Sequence, residues 1–164
     1  DAGRSWRTVS LTGGADFHAL RAMGRDVVGY DASGGRLMTS LDAGRTWRSS
    51  RPPEPLLDIA IDPSRSSRLL ASADGGSRWS RLGGSAMLLA WPAADALYAI
   101  GHDGSVRVSR DSGGTWADRA ALPGPPAAVT APTARRLIVA LEDGTLVSSA
   151  DGGASWGAGA WTGA

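Results

Sequence analysis

The chain has no cysteine and no lysine, one phenylalanine, two tyrosines, two histidines and two glutamates among 164 residues. Lack of cysteine excludes disulfides and thiolate-held metals. Two histidines, His18 and His102, are too few to converge with others on a metal, so neither metal nor cofactor is expected. No apolar run approaches the roughly 20 residues of a membrane-spanning helix. Blocks of like charge are missing too: 17 basic and 16 acidic residues are interspersed, leaving no footprint for nucleic acid. The basic residues are all arginine and, with heavy alanine and glycine use, fit a GC-rich coding bias; they read as solvated strand faces. With 42% hydrophobic and 20% charged residues the composition is that of a folded domain.

What is abundant is repetition. "SLDAGRTW" (Ser40 to Trp47) recurs as "SRDSGGTW" (Ser109 to Trp116) and "SADGGASW" (Ser149 to Trp156). "SADGGSRW" (Ser72 to Trp79) is a near copy with Arg78 where the others have Thr or Ser, and the chain opens on "DAGRSW" (Asp1 to Trp6), the motif without its front. The motif tryptophans Trp6, Trp47, Trp79, Trp116 and Trp156 follow at spacings of 41, 32, 37 and 40 residues. A period near 40 containing several short strands is the signature of a propeller blade.

Each unit reads as four short strands separated by glycine-bearing turns. In the first these are "DFHALRAM", "DVVGYD", "RLMTSLD" and the stretch after Trp47; units three and four repeat the order. Asp103-Gly104 and Asp143-Gly144 predict two-residue hairpins with positive φ at both positions. No segment has a helical period. The spacing predicts one all-β domain over 1–164, with blades near 13–51, 56–82, 87–120 and 127–162 and with 1–12 as the tail of a preceding blade. "WRTVSL" (Trp6 to Leu11) is expected as an outermost strand, making the chain part of a larger propeller; the alternative is a four-bladed ring with a loose N-terminal strand. The second unit is about eight residues short and is expected to be irregular.

The chemistry of the octapeptide explains its residue types. A carboxylate at Asp42, Asp74, Asp111 or Asp151 can accept from the N–H groups of its own turn, while Ser40, Ser72, Ser109 and Ser149 on one side and Thr46, Thr115 and Ser155 on the other tie the loop. Gly44, Gly76, Gly113 and Gly153 supply positive φ, and the Trp packs beneath the loop. Five copies at blade period lie around a rim and do not converge on a site, which makes these residues, Asp1 and Trp6 included, structural.

Ser-x-Asp-x-Gly-x-Thr/Ser-Trp resembles the Asp-box (BNR) repeat of bacterial sialidases and other propellers. "DFHAL", "GYD", "LLDIAIDP", "LLAWP" and "ALEDGT" are similar to the C-terminal portions of bacterial Asp-box proteins grouped with glycosyl hydrolases and exo-α-sialidases. That resemblance implies an extracellular or cell-envelope propeller. The sialidase arginine triad, Tyr/Glu pair and Arg-Ile-Pro stretch have no counterparts here, and Glu54 and Glu142 sit in exposed connections, so no catalytic residue is assigned. Glycosidases need two carboxyls roughly 5 to 10 Å apart. Ligand candidates fall on the first strand of each unit, at the channel mouth: Asp16 and His18, which share a strand face, Asp58, and Trp91. The expected function is a non-catalytic binding or interaction scaffold taking a carbohydrate or protein ligand there. The alternatives are a glycoside hydrolase whose catalytic residues lie mostly in upstream blades, and self-association through open blade edges.

Overall fold

Apolar and polar residues alternating at period two, interrupted by glycine turns, build an all-β chain. The computed structural model describes residues 3–69 and 86–159, and no helix occurs among them. The first sheet is the meander β1 (Phe17–Met23), β2 (Asp26–Asp31), β3 (Arg36–Ser40) and β4 (Arg48–Ser50). A two-stranded sheet follows, β5 (Ile61–Asp62) with β6 (Arg65–Leu69). The third sheet is β7 (Leu88–Ala93), β8 (Ala96–Ile100), β9 (Val106–Ser109) and β10 (Ala117–Asp118). The last is β11 (Pro126–Thr130), β12 (Leu137–Leu141), β13 (Leu146–Ser149) and β14 (Gly157–Ala158). Every ladder is antiparallel.

The first strands of successive sheets are neighbours in the order β1, β5, β7, β11, so the sheets stand face to face around a common inner wall. Packing follows strand alternation. On β8, Ala96, Tyr98 and Ile100 point toward the last sheet and join Val106, Val108, Leu137, Val139 and Leu141, while Leu97 and Ala99 point the other way, toward Ala60, Leu89 and Trp91. A third cluster, Ala19, Val28, Tyr30, Leu37, Ile59 and Ile61, fills the seam between the first and second sheets. Each buried Leu, Ile or Val side chain stabilises these seams by about 1.5 to 3 kcal/mol relative to exposure.

Three local expectations change. Residues 6–11 form no ladder, since no described strand lies beside them; instead the Ser10 hydroxyl bonds the Gly44 carbonyl. In "LLDIAIDP" only Ile61 and Asp62 pair as strand, because the Asp58 carboxylate takes the Ile59 N–H at 2.8 Å. The Asp-Gly hairpins have positive φ at Gly104 (80°) and Gly144 (86°) but at neither aspartate. Gly104 N–H bonds the Gly101 carbonyl and the Asp103 carboxylate accepts from Ser105 N–H, a longer turn that leaves aspartate in ordinary backbone space. The near-copy motif from Ser72 to Trp79, with Asp74 and Gly76, lies outside the described residues, as does Asp1.

Candidate functional site

The three complete octapeptides fold alike. Ser40 Oγ donates to Asp42 Oδ1 at 2.8 Å and accepts the Gly44 N–H at 2.8 Å. Asp42 then accepts the Arg45 and Thr46 N–H groups at 2.9 and 2.8 Å, and the Thr46 hydroxyl at 2.6 Å. Ser109, Asp111, Gly113 and Thr115 repeat the pattern, as do Ser149, Asp151, Gly153 and Ser155. Hydrogen bonds to the ionised form hold these carboxyls well below the usual range. For Asp42 the Thr46 hydroxyl contributes most, and for Asp151 the Ser155 hydroxyl. Asp111 is lowered to about 2, led by the Thr115 N–H.

The motif also reaches between sheets. Trp156 Nε1 donates to the Ala120 carbonyl at 2.7 Å, and Ala120 N–H donates back to the Gly153 carbonyl at 3.0 Å. Trp47 Nε1 donates to Ser10 Oγ and the Gly44 carbonyl, both at 3.0 Å. Ala120 and Ser10 each lie four residues after a motif tryptophan, so the indole of one unit clips the segment leaving the unit before it. Trp116 packs instead beneath the Arg107 guanidinium, 5.4 Å from the ring centroid. Trp6 is 89% exposed.

At the start of β1, Asp16 and His18 come together: Nε2 lies 3.3 Å from Oδ2, and Ser33 Oγ donates to the same oxygen at 3.2 Å. A nucleophilic relay needs the imidazole between hydroxyl and carboxylate. Here the carboxylate is the hub, so Ser33 gains no base. Both side chains are more than half exposed. Behind them, Asp31 is 1% exposed and accepts from Asp16 N–H, Gly34 N–H and two nitrogens of Arg36, the nearer at 2.6 Å. The Arg36 hydrogen bond is the main reason its carboxyl lies below the ordinary range.

The opposite end of the inner strands is different. The final residues of β1, the approach to β5, and the ends of β7 and β11 line an open cavity of about 410 Å³. Arg21, Met23, Ile61, Trp91, Pro92 and Thr130 are among its walls. From Asp16 to Arg21 the extended chain advances about 17 Å, so the two ends are separate places. Arg21 Nη2 donates to Asp58 Oδ1 at 2.6 Å, while Asp58 Oδ2 accepts the Leu89 N–H at 2.8 Å. One carboxylate thus joins the inner strands of the first and third sheets to the chain between them.

The four ligand candidates therefore divide. Asp16 and His18 share the exposed end; Trp91 lines the cavity, 9% exposed; and Asp58 stands behind the cavity wall with its side chain 5% exposed. His102 Nδ1 lies 3.9 Å from Glu142 Oε1, both well exposed. Arg21 and Asp31 were not singled out by the sequence. Arg21 was legible in principle, since it alternates with Ala19 and Met23 on the buried face of β1. Among the described residues no group of three or more His, Asp or Glu side chains could hold a metal ion.

No family model matches the chain, and no curated protein matches it. Solved structures do. YCF48 from Cyanidioschyzon merolae is similar at a TM-score of 0.68 and 16% identity, over 96% of this chain and 61% of that one. YCF48 bound to D1 peptide is similar at 0.64 and 18%, over 96% and 58%. The GH74 enzyme of Niastella koreensis is similar at 0.66 and 22%, over 82% and 22%. The fold is that of a β-propeller, and the chain spans about six tenths of YCF48 and about a fifth of the GH74 enzyme.

Proposed function

We propose that the chain is an Asp-box, sialidase-like propeller segment serving as a non-catalytic scaffold that binds a protein ligand at its inner wall. The observation that carries this reading is the use of its carboxylates. Every described carboxyl with a resolved shift, Asp31, Asp42, Asp103, Asp111, Asp143 and Asp151, is lowered by hydrogen bonds. Glycoside hydrolysis calls for an acid whose pKa is raised beside a second carboxylate. Asp58, the partner of the cavity-lining Arg21, is engaged by Arg21, Ile59 N–H and Leu89 N–H. The likeness to YCF48 bound to D1 peptide supports a protein ligand.

A second reading is a glycoside hydrolase with most catalytic residues in further blades, favoured by the likeness to GH74. Sialosides and aryl glycosides offered to the protein separate the two: no turnover is expected, and turnover abolished by Asp16→Asn or His18→Gln overturns the scaffold reading. An extracellular or cell-envelope location, the blade limits read from the repeat, and pairing of blade edges between copies belong to the same proposal. Recovery of the native protein from the cytoplasm counts against the first. A monomeric mass at every concentration counts against the last.

A further inference from the structure

We infer that the cavity at the Asp-box end of the inner strands binds a carboxylate, the chemistry shared by the C-terminal residue of a peptide and a free short-chain carboxylic acid. This rests on the scaffold reading and gives it a site. The cavity volume of about 410 Å³ falls in the range of small-ligand sites. Met23, Trp91, Pro92 and Val129 put apolar side chains beside polar surface on its mixed walls, and Arg21 is the one charged side chain among the described residues lining it.

The orientation of the ion pair sets the sign of the ligand. Arg21 is 39% exposed and Asp58 5%, so the guanidinium is the end of the pair open to the cavity. Asp58 also accepts two backbone N–H groups, Ile59 and Leu89, which draw on the same negative charge. The pair therefore presents a net positive face inward. Arg21 spends one N–H on Asp58 and one on the Leu20 carbonyl. A guanidinium carries five N–H donors, so three remain that can donate to a further acceptor such as a carboxylate. Thr130, exposed on β11 across the cavity, adds a hydroxyl. Being held by Asp58, the guanidinium is already ordered, which lowers the entropic cost of binding.

The site lies at the far end of β1 from Asp16 and His18, on the side where the octapeptide turns of the first and last sheets meet the first hairpin of their own sheet. Ala43 N–H bonds the Arg25 carbonyl there, and Gly152 N–H the Arg135 carbonyl, each at 2.8 Å.

Calorimetric titration tests this with three probes: acetyl-Gly-Ser-Ala-Leu with a free C-terminus, the same peptide as its amide, and hexanoate. The free-acid peptide is expected to bind at least tenfold more tightly than the amide. Arg21→Gln should erase that difference, Arg21→Lys restore part of it, and Thr130→Phe, which adds bulk at an exposed position of the lining, weaken every probe. Binding by peptide and hexanoate, or by either alone, supports the site and identifies the source of the carboxylate. Equal affinity for acid and amide, indifference to Arg21→Gln in a folded variant, or no binding at millimolar probe overturns it. Glycoside turnover by the same preparation overturns the scaffold reading separately, so the two failures are distinguishable.

Discussion

The seam between the third and fourth sheets and the seam between the first and second solve the same problem with different means. The former joins two complete four-stranded meanders through an apolar layer, with Tyr98 donating to the Ala134 carbonyl at 2.6 Å and Trp156 to Ala120 at its margins. At the latter, the second sheet contributes a two-residue strand, and the buried Asp58 carboxylate ties β1 and β7 to it. Where both partners present full strands, alternation alone supplies the interface. Where one is short, a polar tie does part of that work and leaves a charged side chain on the inner wall.

The comparison can be broken at several points. Leu137→Ala empties a fully buried position of the apolar seam and is expected to cost about 4 kcal/mol in urea unfolding. Asp58→Ala removes the acceptor for two N–H groups and for Arg21, whose partial exposure softens the loss; about 3 kcal/mol is expected. A double-mutant cycle with Arg21→Gln should show the two changes to be strongly coupled, whereas Leu137→Ala and Asp58→Ala should add. Ser109→Ala strips the buried Gly113 N–H of its acceptor and should cost about 2 kcal/mol, read by the same measurement. Trp156→Phe keeps the packing but loses the bond to Ala120, about 1 kcal/mol.

The smallest effect sharpens the role of the turns and is read by pH. Asp111 is lowered to about 2 in the folded chain, so its contribution is fully present above the unfolded value near 3.8 and is lost as pH falls toward 2. The thermal midpoint should hold from pH 7 to about 5 and decline below 4. Asp111→Asn should start lower at neutral pH and decline less steeply in acid.

Much of this architecture was written locally. Period-two stretches such as "DVVGYD", Asp26–Asp31, became strands with their limits intact, because side-chain alternation and flanking turns act within a few residues. The octapeptides were equally legible: the bonds of Ser40, Asp42 and Thr46 lie within six residues, so spacing alone predicts them. The Asp103-Gly104 hairpin departs from the two-residue form because the Ser105–Asp103 side-chain bond competes with that turn. Arg21 is one of seventeen arginines spread along the chain. Nothing near it in sequence announces a partner, and Asp58 is 37 residues away.

Periodicity, turn residues and motif spacing act over distances the chain can encode in a dozen residues, and they settled the strands, the fasteners and the propeller class. Which end of the inner wall holds the cavity, and that one carboxylate would be buried while its arginine faces that cavity, depended on strands from four sheets meeting. Burial and charge pairing across the wall are properties of that meeting, and only the assembled fold could decide them.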